Sequence, residues 1–390
     1  MIPLHLQDRL ATPPACDPEH GWGQSLSRGA PGTALLHIEC ARAGLGDWAT
    51  AHRWVSAATR AAVTANPRSG LFNGPTAVAF ALYATAQPSY ANALRTLDGS
   101  IRTLTRRKLE RAQARIDCGQ LPSLREYDLI SGLTGVGVHL LRNDPCGMEI
   151  RAVLSYLVRL TEPVRHHGIT VPGWWTHNGP ADVLSSHFLG GHANLGMAHG
   201  ICGPLALLAL AMTRGITVPH QAEAIAGICA WMDQWSQGRG VKAWWPPWIT
   251  LSELHSSRHA QASPPRPSWC YGRPGQARAQ QLAGRAIDDA CRQRAAEDVL
   301  LGCATDEDHL AQLSDASLCH GWAGLVHTVW RAIDIPAQSH LHTRLAHYLG
   351  AAQLNPGLLD GAAGAVLALH AASSCAPPAS GWDACLLVDD

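Results

Sequence analysis

Charge is what this sequence has least of. Only 15% of its residues are Asp, Glu, Lys or Arg, and 30 basic side chains cancel 30 acidic ones. That balance excludes a nucleic-acid binder relying on net positive charge, and it excludes a disordered acidic chain. No apolar stretch is long enough to cross a bilayer, the longest running from Pro204 to Met212. Met1 to Gln24 lacks the basic region and apolar block of a signal peptide, so a cytoplasmic, soluble chain without membrane insertion is expected. Phenylalanine occurs three times, and lysine is nearly absent beside many arginines, which reads as codon usage rather than mechanism. No CxxC pair occurs, and twelve cysteines are scattered between Cys16 and Cys385. They form no disulfide framework, so a cysteine that matters here should matter as a thiolate.

What is present is enough apolar material for a large core, 46% of 390 residues, and an internal repeat. Seven segments share a Gly-x-x-Gly step followed by an alanine-rich apolar run. Their first glycines are Gly29, Gly74, Gly132, Gly200, Gly272, Gly321 and Gly361, and only the second copy departs, with Ala77 in place of the second glycine. Runs such as Pro204 to Ala211 or Ala365 to Ala372 are apolar nearly all round, which suits helices buried on both sides. Between them, Trp48–Ala65, Glu149–Leu160, Gln221–Trp235 and Ala283–Leu301 mix apolar and charged positions at helical spacing. A buried helix alternating with a half-exposed one, seven times, predicts an all-α protein: an α/α toroid over residues 1–390, with seven inner helices inside seven outer ones. The glycines let the chain turn tightly and backbones crowd at the start of each inner helix.

Two stretches interrupt the repeat. Residues 102–115 carry five arginines and Lys108 against Glu110 alone, within an insertion at about 88–125. The run reads either as a grip on an acidic leader or partner segment or as a solvated helix face. The second is a long loop, Pro172 to His192, with Trp174, Trp175, His177, His187 and His192. With Trp244, Trp245 and Trp248 it either walls a peptide-sized cleft or simply packs upon itself. His255 with His259, and His340 with His342, have metal-compatible spacings but lie outside the repeat, and are read as surface histidines.

Reactive residues collect at the starts of three inner helices: His199, Cys270, and the adjacent Cys319 and His320. In a ring, equivalent positions of successive repeats meet, so Cys270, Cys319 and His320 are expected to converge. Two thiolates and an imidazole are a zinc set, and three protein ligands leave the fourth tetrahedral position open, as in a catalytic site. Of carboxylates, the helix starts offer only Asp128 and Asp360, too few for carbohydrate or terpene chemistry.

These motifs, Ala198-His199-Gly200, Trp269-Cys270-Tyr271-Gly272 and Cys319-His320-Gly321, with Tyr127-Asp128-Leu129 upstream, resemble the lanthipeptide synthetase C (LanC-like) cyclases over essentially the whole chain. The resemblance implies an α/α toroid with a central zinc. It also implies a reaction, in which cysteine thiols of a dehydrated ribosomal precursor peptide add to dehydroalanine or dehydrobutyrine to close thioether rings. On the same footing His199 is the proton donor, Asp128 orients or charges it, Arg266 steadies the enolate, and Tyr271 lies near the metal. Asp128 is equally a capping residue before the third repeat. The length resembles stand-alone cyclases that work beside a dehydratase and an exporter. Two other readings stay open: a non-catalytic scaffold for a synthetase complex, and a relative that conjugates glutathione or another thiol. Cys202, close to His199, has no assigned role.

Overall fold

A computed structural model describes residues 4–179, 186–333, 338–351, 355–374 and 376–390; part of the Pro172–His192 loop therefore lies outside the described residues. Among the described residues thirteen substantial helices alternate, seven behind the glycine steps and six between them, where seven outer ones were expected. The odd-numbered ones follow the glycine steps: α1 Ala30–Arg42, α3 Pro75–Thr85, α5 Leu133–Asn143, α7 Cys202–Thr213, α9 Arg273–Ala286, α11 Trp322–Ala332 and α13 Ala362–Ser374. The even-numbered ones lie between: α2 Trp48–Ala58, α4 Ala91–Asp117, α6 Met148–Arg159, α8 Gln221–Gln234, α10 Ala290–Thr305 and α12 Gln338–Ala351. Among the described residues α13 is followed not by a long outer helix but by a 3-10 turn, Trp382–Leu386. None of the described helices is long and apolar enough to cross a membrane.

Burial separates the two sets. The first ten residues of α7 are all buried, as is every residue of α3 but Tyr83, whereas α2, α6 and α8 bury one stripe each. Prolines at the first turns of α1, α3 and α9 help start these helices where a backbone N–H has no helical partner. One odd helix breaks the apolar rule. α9 buries Arg273, Gln276, Arg278, Gln280 and Gln281, and these polar groups are answered within its surroundings: Arg273 donates to the Val241 carbonyl, Gln276 to that of Pro246, and Arg278 pairs with Asp390 at 2.5 Å.

The chain divides into two compact units, one of residues 1–104 with 304–389, the other of 105–303 with Asp390. In the first, α11 packs on α13, α13 on α1 and α1 on α3, joining the two ends of the chain. Glu39 of α1 is buried and accepts from the backbone of Ala379 and Ser380, which fixes the C-terminal segment. In the second, α7 packs on both α5 and α9. Two short antiparallel strand pairs also lie among its described residues: the hairpin Val164–His166 with Ile169–Val171, and His192–Asn194 with the sequence-distant Trp248–Thr250.

The turns preceding the odd helices are joined by backbone hydrogen bonds. In the first unit the Cys319 N–H donates to the Leu359 carbonyl, those of Leu358 and Leu359 to Ser27, and that of Leu26 to Phe72. In the second the Leu129 N–H donates to the Ala198 carbonyl and those of Met197 and Ala198 to that of Cys270. Apart from Gly74 in the second copy, at φ 79°, the first glycines described at helix caps serve this geometry through space rather than through left-handed dihedrals. At the second glycine, a Cβ on Gly275 would lie 2.0 Å from the Trp269 carbonyl oxygen, and one on Gly364 only 1.9 Å from that of Leu358.

Several expectations need correction. The Ala283–Leu301 segment is no single helix: α9 stops at Ala286 and α10 starts at Ala290, with Asp288 in the left-handed region at φ 56°. The His259 side chain is not at the surface, for it is only 4% exposed, with Nδ1 2.7 Å from Glu253 Oε1. Trp174, Trp175, Trp244 and Trp245 are buried core residues, so only Trp248 of that group keeps a partly open face. The arginine-rich run splits. Arg102, Arg106, Arg107 and Arg111 are exposed along α4, whereas Lys108 and Arg115 turn onto residues 123–131.

Gly275→Ala should lower stability by about 1–3 kcal/mol, because a carbonyl occupies the place of its Cβ. Gly227→Ala, mid-helix in α8 with nothing within 4 Å, should raise it by about 0.5–1 kcal/mol. Urea unfolding of the two variants side by side reads both signs.

Candidate active site

The residue just before the first glycine is polar in all seven copies: Arg28, Asn73, Ser131, His199, Tyr271, His320 and Asp360. None of the seven is buried, although each following glycine is. The turn thus closes on its glycine and leaves the preceding side chain at the helix start, where chemistry is accessible.

In the 105–303 unit, three consecutive turns build one constellation. His199 Nδ1 lies 2.6 Å from Asp128 Oδ2; the carboxylate is wholly buried and the imidazole 24% exposed. The other carboxylate oxygen, Oδ1, accepts the N–H groups of Ser131 and Gly132, each at 2.7 Å. Asp128 is therefore both things the sequence allowed. One oxygen caps the turn before α5, and the other holds an imidazole. Three nitrogens fix the carboxylate from both sides, so His199 is presented in one orientation, with Nε2 left for other partners.

Tyr271 lies beside this pair, its ring near-parallel to His199 with centroids 6.3 Å apart. The Tyr271 hydroxyl accepts from Asn194 Nδ2 at 3.2 Å, and Trp248 stands edge-on to the tyrosine at 6.2 Å. Gly196 allows the approach: a Cβ there would lie 2.8 Å from the Tyr271 ring and from the Cys270 carbonyl oxygen. Cys270 is half-buried, and its thiol lies 3.7 Å from Ser268 Oγ. Arg266 is half-buried in the same turn, where its carbonyl accepts the Ser268 N–H.

In the other unit Cys319, His320 and Asp360 each offer a ligand atom, all within 4.8 Å of one another. His320 sits between two carboxylates, Nε2 at 3.6 Å from Asp315 and Nδ1 at 3.9 Å from Asp360, and Arg28 neighbours Asp360 at 3.5 Å. A thiol, an imidazole and a carboxylate so grouped suit a zinc ion as donors, or as two ligands with an outer carboxylate orienting the histidine. The role of Asp360 beside His320 was not anticipated from the sequence, though its place before Gly361 repeats that of His320 before Gly321.

The thiols nearest these turns differ from those inside the helices around them. Cys202 is buried in α7 against the Met232 sulfur, and burial pushes its thiol far up, as it pushes that of Cys229 to about 12. Such groups stay protonated and behave as small apolar side chains. Cys270 and Cys319 are only half-buried, at turns rather than inside helices.

Comparison with known proteins places this arrangement. The family described as lanthionine synthetase C-like protein matches residues 21–387. Nisin biosynthesis protein NisC of Lactococcus lactis subsp. lactis is 26% identical over 204 residues, which span 52% of this chain and about half, 48%, of that protein. A solved structure of nisin cyclase superposes with a TM-score of 0.80 over 98% of this chain and 95% of its own, at 20% identity. The fold class is accordingly the α/α toroid that the repeat predicted. The match over nearly the whole length settles the classification: the chain belongs to the lanthionine synthetase C-like family.

Proposed function

We propose that the protein is a zinc-dependent cyclase that closes thioether rings in a dehydrated ribosomal precursor peptide. The observation that carries this reading is the 2.6 Å pairing of His199 with a fully buried, doubly capped Asp128 on turns that also bear Tyr271 and Cys270. A relative named for nisin biosynthesis supports a peptide of the lanthipeptide class as substrate.

Cys270, Cys319 and His320 are the proposed zinc ligands, with Asp360 and Asp315 as carboxylates that orient His320. The donor chemistry fits, since soft thiolates and a neutral imidazole are the ligands zinc prefers. When bound, zinc supplies a means of keeping a substrate thiol deprotonated near neutral pH.

The remaining chemistry belongs to the chain's own residues. The peptide's cysteine sulfur adds to the β-carbon of a dehydroamino acid, forming the C–S bond as the C=C π-bond opens. The electron pair moves onto the α-carbon and its carbonyl oxygen, and the α-carbon then takes a proton. His199 Nε2 is the donor, having received the proton given up by the thiol, so the step is balanced without an external acid. Asp128 Oδ2 accepts the Nδ1–H, fixing the tautomer and supporting the imidazolium between the two transfers. Arg266 is the proposed group that offsets charge on the enolate oxygen, and Tyr271, whose ring lies beside His199, the proposed one that orients the acceptor. A dehydratase must act first on the peptide, and a complex with it and with an exporter belongs to the same reading.

Ring closure leaves the mass unchanged but removes thiols, so iodoacetamide adducts on a dehydrated precursor peptide count the thiols left unclosed. Wild-type protein should abolish those adducts. His199→Ala should keep its zinc and slow closure about 100-fold or more. Loss of zinc from that variant would refute the division of roles.

Elemental analysis should find about one zinc per chain in wild type, lost in Cys270→Ala and in Cys319→Ala. A folded, zinc-free wild type that leaves every peptide thiol alkylatable would reject the cyclase reading in favour of a scaffold.

A further inference from the structure

The 390 residues contain only two lysines, Lys108 and Lys242, beside 28 arginines. Lys242 is exposed at the end of a 3-10 turn. Lys108 is half-buried on α4 among Arg106, Arg107 and Arg111. Its ammonium donates to the Ser131 carbonyl at 2.9 Å. That carbonyl belongs to the peptide unit whose N–H, on Gly132, donates to Asp128 Oδ1 at 2.7 Å. One peptide group is thus held between an ammonium and a carboxylate, and each end polarises the other. The carboxylate's second oxygen holds His199.

We propose that Lys108 is a positioning residue for the Asp128–His199 pair, its ammonium acting through the Ser131–Gly132 peptide to keep the buried carboxylate charged and turned toward the imidazole. The role in ring closure rests on the cyclase reading; the coupling of lysine to carboxylate does not.

The surroundings make Lys108 titrate usefully. Burial, opposed by Asp128 and Glu126 and aided by Arg111, lowers it to about 8. Glu126 is already engaged by Arg115 at 2.7 Å and by the Tyr156 hydroxyl at 2.8 Å. Below about pH 8 the ammonium is charged and supports Asp128; above it that support is lost. An arginine at this position would never lose its charge.

Lysine labelled with carbon-13 at Cε gives two signals in this chain, assigned with Lys108→Arg. One should titrate near pH 8 and move lower in Asp128→Asn, the other near the ordinary value of about 10.5. Two ordinary titrations, or a Lys108 signal indifferent to Asp128→Asn, overturn the proposal. In the ring-closing assay, wild type should lose rate above about pH 8, and Lys108→Arg should not. Lys108→Met should be about tenfold slower at pH 7, with KM for the peptide unchanged. Equal rates in Lys108→Met and wild type also overturn it. If wild type closes no rings while the carbon-13 shift appears, it is the cyclase reading that fails, and the coupling stands.

Discussion

A backbone hydrogen bond from one helix-start turn to the next is the constraint on which the rest of this structure depends. It requires two turns to approach until the peptide groups of Met197 and Cys270, or of Cys319 and Leu359, are in contact. At that separation little room is left between the turn and the helix it begins, so glycine fills both places of the step in six copies, and in the second Ala77 stands at the second place. It also sets where side chains go. The residue preceding the glycine is carried to the helix start in every copy, and evolution of a site needs only to change which polar group stands there. His199, Tyr271 and His320 are three solutions at one geometric position, and Ser131 is a fourth that works through its peptide group.

This explains how much was legible in advance. The period of the glycine step and the apolar runs behind it were enough for the alternation of buried and half-exposed helices, because both signals are local in sequence. Asp128 and His199 were legible as candidates, but not the division of labour between the two carboxylate oxygens, which depends on the turn at Ser131 and Gly132. The polar character of α9 was hidden for a different reason. Arg278 is neutralised by Asp390, 112 positions away, and no periodicity announces a partner at that distance. His259 was misjudged likewise, since its burial comes from Glu253 and Trp244 rather than from anything in its own neighbourhood of small polar residues. The broken helix at Asp288 shows the limit of pattern reading, for one left-handed residue ends a helix without disturbing the composition around it.

The same geometry separates reactive from inert sulfur. A cysteine within an odd helix, such as Cys202, is enclosed by apolar neighbours, and the cost of placing a thiolate there holds it protonated. A cysteine one residue ahead of the turn's polar position, as Cys270 and Cys319 are, stays half-buried beside polar groups. Nothing in the amino acid itself differs; register alone decides whether a thiol serves packing or chemistry.

Asp128 joins these themes, since a fully buried carboxylate must have its charge answered on every side or it will not remain a carboxylate. Two backbone N–H groups answer one oxygen, and the imidazole answers the other. An N–H is a weak counter to a full charge, however, and the imidazole must be free to lose its proton if it is to transfer one. A permanent positive charge in direct contact would hold the carboxylate firmly but would also compete with the imidazole for it. An ammonium acting through one intervening peptide group avoids that competition, supplying charge while leaving the second oxygen to His199. Arginine is tolerated almost everywhere else in this chain, with five donors seeking several partners at once. An ammonium directed at the Ser131 carbonyl is the narrower tool.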